Sequence, residues 1–123
     1  VEGGTTPGIV EDTTNFTAMV AEFRRQLDAV RPGLLLTAAL PAPAELYKNF
    51  ELKQIIGSMD YLSIMAYDLH WDSEPTTNLH SPLYHDPGDP SGPPANLHYG
   101  DYAVRGFLQA GVPAQKILLG VPF

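Results

Sequence analysis

Residues 59–70 of this 123-residue chain read MDYLSIMAYDLH, and the pattern inside this stretch indicates the fold. Two kinds of side chain alternate along it, which is the two-residue period of a β-strand. The aliphatic face consists of Leu62, Ile64 and Ala66, and the other face consists of Tyr61, Ser63, Met65 and Tyr67. The aliphatic face is typical of packing against helices. The second face carries hydroxyl, thioether and aromatic groups, and it predicts a wall that passes from core to pocket.

Two other apolar runs predict further strands. One covers residues 34–40 and ends at Pro41, and the other covers residues 117–123. Short apolar runs between glycine and proline are typical of strands that are covered on both faces. We therefore expect three buried strands, at 34–40, 61–67 and 117–123.

Helical periodicity precedes the first of these strands. After a polar loop at 1–13, apolar residues recur every three or four positions over 16–30, which predicts a helix. Thr13 or Thr14 can cap its start, and Pro32 ends it.

The rest of the chain alternates in the same way, with one long interruption. Helices are predicted over about 44–56 and 102–108. Between them, residues 69–98 show no apolar period and hold six of the twelve prolines. The histidines of this segment are His70, His80, His85 and His98. Loops of this length are usually functional or disordered.

The order of the predicted elements is helix, strand, helix, strand, loop, helix, strand. Strands that alternate with helices imply right-handed crossovers and a parallel sheet, so the predicted fold class is α/β. Three strands alone leave the outer two with unpaired edges. We therefore interpret the chain as part of a (β/α)8 TIM barrel, whose usual size is about 250 residues. Both ends are expected to be cuts inside a longer protein, and a doubly wound sheet is the alternative.

Composition excludes several classes of function. The formal net charge is −7, without a basic tract, which argues against nucleic acid and anionic membrane surfaces as partners. The chain has no cysteine, so disulfides, zinc–thiolate sites and cysteine nucleophiles are excluded. The longest apolar run is about seven residues, against the ~18 that a membrane-spanning helix needs.

Groups that can bind a ligand gather at the C-terminal end of the 61–67 strand, where barrel enzymes carry their active sites. Tyr67 can donate a hydrogen bond, Asp68 can accept one, and Trp71 offers a stacking face. This combination suits a sugar, and Met65 lies on the same strand face. The simpler alternatives are core packing for Met65 and Tyr67, a loop cap for Asp68, and loop packing for Trp71.

Two other patterns carry less weight. The loop histidines together with Asp72, Asp86 and Asp89 match no metal-ligand spacing, so no metal site is expected. Residues 15–17 read Asn-Phe-Thr, which fits the N-glycosylation sequon, but such matches often occur by chance.

Residues 59–70 resemble the sixth-strand signature of the glycoside hydrolase family 18 chitinases. Residues 71–84 resemble the loop that follows it, 15–28 their fourth helix, and 110–123 the approach to and body of their seventh strand. The resemblance covers nearly the whole chain. It implies that residues 1–123 are a partial catalytic domain of this family, from about the fourth helix through the seventh strand of the barrel.

The resemblance implies a secreted chitinase that hydrolyses β-1,4 N-acetylglucosamine linkages with retention, by substrate assistance. In that mechanism the acetamido oxygen of the substrate attacks the anomeric carbon. Matched to the family motif, Tyr67 would hydrogen-bond the acetamido group, and Asp68 would contact the sugar near the cleavage point. Met65 would form the pocket floor. Trp71 would stack on a leaving-group sugar, from a loop shorter than the usual family form.

The family's proton donor is the Glu that ends a D-x-x-D-x-D-x-E motif on the fourth strand. It is expected upstream of Val1, Glu2 is not a match for it, and residues 1–123 alone are expected to be inactive. The expected partner is chitin or a chitooligosaccharide, without a cofactor. The alternative is a chitinase-like lectin that binds oligosaccharide on the same barrel without cleaving it. An unrelated α/β barrel is a third interpretation.

Overall fold

The computed structural model describes residues 8–72 and 74–123, and it contains a three-stranded parallel sheet. The strands are β1 (Thr37–Pro41), β2 (Tyr61–Met65) and β3 (Ile117–Leu119), in the spatial order β1-β2-β3. The predicted α/β class with parallel strands is confirmed.

The central strand β2 sets the register of both neighbours. Pro41 of β1 pairs with Met65, and Leu119 of β3 pairs with Ile64. Because the strands are parallel, their C-terminal ends meet at one edge of the sheet. Side chains that follow these strands are therefore brought together at that edge.

Helices connect the strands and cover one face of the sheet. The α-helices are α1 (Asp12–Val30), α2 (Ala44–Tyr47), α3 (Leu52–Ile55) and α4 (Gly100–Gln109), and single 3-10 turns lie at Ala95–Leu97 and Ala114–Lys116. No helix in the described ranges is long and apolar enough to cross a membrane.

The core lies between β2 and the helices. Leu62 and Ile64 of β2 and Phe107 of α4 are each 0% exposed. Leu40 of β1 and Val20 of α1 are buried in the same cluster. Burial of such side chains is the main source of stability, at about 25 cal/mol per Å² of apolar surface. The aliphatic face predicted for the 61–67 stretch is thus the core face.

The first helix begins earlier than predicted, within the segment expected to be loop. Glu11 is its N-cap residue, so the predicted caps Thr13 and Thr14 were wrong. The Thr13 hydroxyl donates instead to the carbonyl of Asn49 at 2.8 Å, and the carboxylate of Asp12 accepts the backbone N–H of Ile9 at 2.9 Å. The first part of the predicted loop, with Glu2, lies outside the described residues.

The prediction of a single helix over 44–56 was also wrong, because the chain forms two short helices there, α2 and α3. The break brings Phe50 edge-on to Phe16 of α1, with ring centroids 5.1 Å apart. Glu51 beside it accepts a hydrogen bond from the Thr17 hydroxyl at 2.6 Å. At the break the backbone forms turn-type hydrogen bonds, such as Phe50 N–H to the Tyr47 carbonyl at 3.0 Å.

The strands are shorter than predicted and are not covered on both faces. Leu40 is buried, but Thr37 and Ala39 of the same strand are exposed. Leu118 of β3 is 51% exposed. The reason is that the described helices pack on one face only, so alternate side chains point away from the core.

Asp60 ties the starts of β1 and β2 together. Its backbone N–H donates to the Leu36 carbonyl at 2.8 Å, and its carboxylate accepts the Leu36 N–H at 2.7 Å. Arg24 of α1 reaches the same carboxylate at 3.4 Å and the Leu34 carbonyl at 2.9 Å. One carboxylate therefore joins the helix to the two strands.

We expect Asp60→Ala to lower the free energy of unfolding by about 1–3 kcal/mol, the usual cost of leaving a partly buried donor unsatisfied. Asp101→Ala is the matched control, because Asp101 pairs with Arg105 on the exposed side of α4 and its loss should cost less than about 1 kcal/mol. Urea unfolding of both variants measures the difference. Equal losses would contradict a joining role for Asp60.

Candidate functional site

The chain leaves β2 through a turn that presents polar side chains at the sheet edge. After Met65 the backbone reaches Asp68, which adopts φ +53°. This left-handed conformation is unfavourable for most residues but tolerated by Asp, whose short polar side chain can form local hydrogen bonds. Backbone in such sparsely populated regions concentrates at functional sites.

An open cavity of about 380 Å³ lies at this edge, between the ends of β1 and β2. The residues predicted from the sequence all line it, namely Met65, Tyr67, Asp68 and Trp71. Their neighbours in the wall include Pro41, Glu45, Glu74 and His98. The structure therefore brings the four predicted side chains to one cavity, and Trp71, which is 61% exposed, stands at its open side.

Tyr67 is positioned by the chain that follows β3. The Gly120 N–H donates to the Ile64 carbonyl at 2.8 Å, which continues the sheet by one step. A Cβ at Gly120 would lie 3.0 Å from Cε1 of Tyr67 and 2.8 Å from the Ile64 oxygen. Only glycine allows the backbone to come this close to the Tyr67 ring.

Glu45 and His98 form a pair that sequence analysis missed. Nε2 of His98 lies 2.7 Å from Oε1 of Glu45, and its Nδ1 lies 3.3 Å from the Leu69 carbonyl. His98 thus joins the start of α2, the exit of β2 and the end of the long loop. The partners are 53 residues apart, and no local pattern indicates such a contact.

A second pair, His70 with Glu74, holds the segment that carries Trp71. Nδ1 of the buried His70 lies 3.0 Å from Oε2 of Glu74, and the Trp71 N–H donates to Oε1 at 3.4 Å. The hydrogen bond from His70 is the main cause that lowers the pKa of Glu74, and the Trp71 N–H adds to it.

A third histidine contacts Asp68 itself. Nε2 of His80 lies 3.2 Å from Oδ1 of Asp68, and the His80 carbonyl accepts the Leu69 N–H at 3.0 Å. The neighbouring Ser81 hydroxyl donates to the Ala66 carbonyl. This part of the long loop therefore runs beside the exit of β2 and fixes it.

The histidines do not converge on one point. His85 packs against Tyr99 at 5.9 Å, apart from the cavity. Within residues 8–72 and 74–123, no three His, Asp or Glu side chains are grouped as metal ligands. The cavity thus combines three carboxylates, each with an imidazole partner, and the uncharged side chains of Tyr67, Trp71 and Met65.

Comparison with known proteins decides the family. A model of the glycosyl hydrolases family 18 matches residues 3–123. The chain belongs to glycosyl hydrolase family 18.

Relatives within this family cover nearly all of the chain. Chitotriosidase-1 of Mus musculus is 40% identical over 117 residues, which is 90% of this chain and 25% of the mouse protein. Chitinase ChiA74 from Bacillus thuringiensis superposes with a TM-score of 0.88 at 36% identity, over all of this chain and 20% of that one. The chain thus spans about a quarter or less of these two relatives.

One family 18 structure contains a bound oligosaccharide. It is a variant of Group II chitinase catalytic domain 2 from Ostrinia furnacalis, in complex with (NAG)5. The TM-score is 0.84 at 26% identity, over 94% of this chain and 29% of that one.

The lowered pKa of Glu74 gives a prediction about acid stability. Its carboxylate stabilises the folded state above its ordinary pKa of 4.5, and this contribution is lost as the pH falls through the lowered value. Glu74→Gln should therefore be less stable than the unmodified protein at pH 7, and the difference should shrink below pH 4.5.

Urea unfolding at pH 7 and pH 3 measures this difference. Asp72→Asn is the matched control, because Asp72 is an exposed carboxylate two residues away, and it should leave the stability unchanged at both values. A difference for Glu74→Gln that stays the same at both pH values would contradict the role of the His70 pair.

Proposed function

We propose that this chain is part of a secreted chitinase that hydrolyses β-1,4 linkages of N-acetylglucosamine in chitin. The observation that carries the proposal is that Met65, Tyr67, Asp68 and Trp71 line one cavity at the end of β2. Family membership and solved structures of relatives that are named chitinases support the reaction class. Secretion is inferred from the substrate, since a polymer such as chitin is reached from outside the cell.

We infer that residues 1–123 are a segment of the (β/α)8 barrel, from about the fourth helix through the seventh strand. Two observations support this. In the described residues β1 and β3 are edge strands, and unpaired strand edges need partners or protection. The sheet face opposite the helices exposes apolar side chains such as Leu118, which further barrel strands would cover.

The roles of the side chains follow from retaining, substrate-assisted chemistry. The Tyr67 hydroxyl donates a hydrogen bond to the acetamido group of the sugar, whose oxygen attacks the anomeric carbon. Asp68 contacts the same sugar and the polar groups around it. Met65 forms the pocket floor, and Trp71 stacks on a sugar at the open side, where aromatic rings bind pyranose faces. No cofactor is needed, because the nucleophile belongs to the substrate.

The proton donor is proposed to lie outside these 123 residues. A general acid needs a carboxyl that holds its proton near the working pH, which requires a raised pKa. Glu74 has the opposite shift, because His70 donates a hydrogen bond to it. On this proposal residues 1–123 alone are inactive.

The proposed partner is chitin or a chitooligosaccharide, in line with the (NAG)5 complex of the Ostrinia furnacalis chitinase. The net charge of −7 and the absence of a basic tract oppose nucleic acid and anionic membranes as partners. A neutral sugar polymer is compatible with this charge.

We expect Tyr67→Phe in the full-length protein to lower kcat by about 10²-fold, the usual effect of removing one preorganised hydrogen-bond donor. Only the hydroxyl is lost, so packing against Gly120 is kept. Hydrolysis of a chitooligosaccharide is measured together with its affinity. The control is Tyr84→Phe, because Tyr84 is 67% exposed in the long loop and should leave kcat unchanged.

Two outcomes would contradict the proposal. An unchanged kcat in Tyr67→Phe would remove Tyr67 from the mechanism. A full-length protein that binds chitooligosaccharide but does not hydrolyse it would be a chitinase-like lectin, with Tyr67, Asp68 and Trp71 serving binding alone.

A further inference from the structure

One nitrogen atom of His80 lies within hydrogen-bond distance of two groups of Asp68, a donor and an acceptor. Nε2 of His80 lies 3.3 Å from the backbone nitrogen of Asp68 and 3.2 Å from its Oδ1. The backbone N–H can only donate, so it needs an unprotonated Nε2. The ionised carboxylate can only accept, so it needs a proton on Nε2. Both bonds cannot exist in one protonation state.

The two states differ in what holds Asp68. In the neutral imidazole with its proton on Nδ1, Nε2 accepts the Asp68 N–H and supports the left-handed backbone of that residue, with its φ of +53°. In the imidazolium, Nε2 donates to Oδ1 and holds the carboxylate against the loop. Charge-assisted hydrogen bonds are roughly twice as strong as neutral ones, so protonation favours the second contact.

The surroundings of His80 allow its ring to change its contact with Asp68 without other changes in the loop. Its side chain is 53% exposed and that of Asp68 is 47% exposed, so both have room to turn. In the part of the chain that the structure describes, Asp68 is the charged group in contact with the His80 ring. The other contacts of this segment involve backbone carbonyls of Ala66 and His80, which do not titrate. The loop backbone is therefore fixed while the ring contact changes.

We propose that His80 is a positioning residue for Asp68. Its Nε2 accepts the Asp68 backbone N–H when the imidazole is neutral, and it donates to Oδ1 of Asp68 when the imidazole is protonated, which occupies one oxygen of this cavity carboxylate. The inference rests on the proposed function, since it gives the Asp68 of that site a partner that responds to pH. Imidazole groups change charge between about pH 5 and 8. Oδ1 of Asp68 is thus free to contact substrate when His80 is neutral and hydrogen-bonded to His80 when His80 is protonated.

The first test is a pH titration of the full-length protein by NMR, without substrate. We expect the backbone amide resonance of Asp68 to move with the same midpoint as the His80 ring resonances. In His80→Gln this movement should be lost, because glutamine does not titrate. His85→Gln is the control, since His85 lies exposed in the same loop against Tyr99, and it should keep the movement. An Asp68 amide that does not move, or moves equally in His80→Gln, overturns the proposal.

The second test measures kcat/KM for a chitooligosaccharide across the same pH range. The ratio of the unmodified protein to His80→Gln should fall about fivefold from pH 8 to pH 5, the difference expected between a charge-assisted and a neutral hydrogen bond. The ratio to His85→Gln should stay constant. A merely structural role for His80 would give a ratio that does not depend on pH, and that result overturns the proposal.

The two tests separate this inference from the proposed function. If the full-length protein hydrolyses nothing at any pH, the function proposed for the cavity fails. The NMR titration then still decides whether His80 positions Asp68.

Discussion

The site depends on the pairing of β2 with a strand on each side. This pairing, together with the burial of Leu62 and Ile64, fixes which face of β2 meets the helices. A slip of one residue would exchange the two faces, because side chains alternate with a period of two. Met65 and Tyr67 point to the cavity for the same reason that Leu62 and Ile64 are buried. Asp60 and the Gly120 N–H anchor the strand at its two ends.

In the loop that follows β2, pairs of side chains hold the backbone in place, as helices and strands do elsewhere in the chain. In its described residues the long loop contains one short 3-10 turn, and its backbone hydrogen bonds are isolated rather than arranged in a helix or sheet. His98 bonds to Glu45, His70 to Glu74, and His80 lies against Asp68. Each pair ties a loop residue to a segment that borders the cavity. These pairs explain how a proline-rich loop can keep one wall of the cavity in a fixed position.

The sequence was sufficient for features that depend on local periodicity. The alternation at 61–67 predicted both the strand and its two faces. The structure places the residues at the end of this strand in the wall of one cavity. Prediction from the sequence failed where the structure depends on contacts between residues that are distant in sequence. Phe50 lies between α2 and α3 and packs against Phe16 of α1, and Glu45 meets a histidine 53 residues away. The two-sided coverage of the strands was mispredicted, because an apolar run does not report which neighbours are present.

The three histidine–carboxylate pairs also bear on which side chains of the cavity are proposed to contact the sugar. A carboxylate that accepts a hydrogen bond from an imidazole is stabilised in its ionised form, as the lowered pKa of Glu74 illustrates. Glu74 is therefore a poor proton donor, and it serves to anchor the segment that carries Trp71. The groups left to meet a neutral sugar are then the Tyr67 hydroxyl and the Trp71 ring, which recognise by hydrogen bonding and stacking rather than by charge. Asp68 differs from the other two carboxylates, because its imidazole partner is half-exposed and can change its contact. On the proposal made above, Asp68 is therefore the acidic residue of this wall whose hydrogen bond depends on the protonation state of its partner.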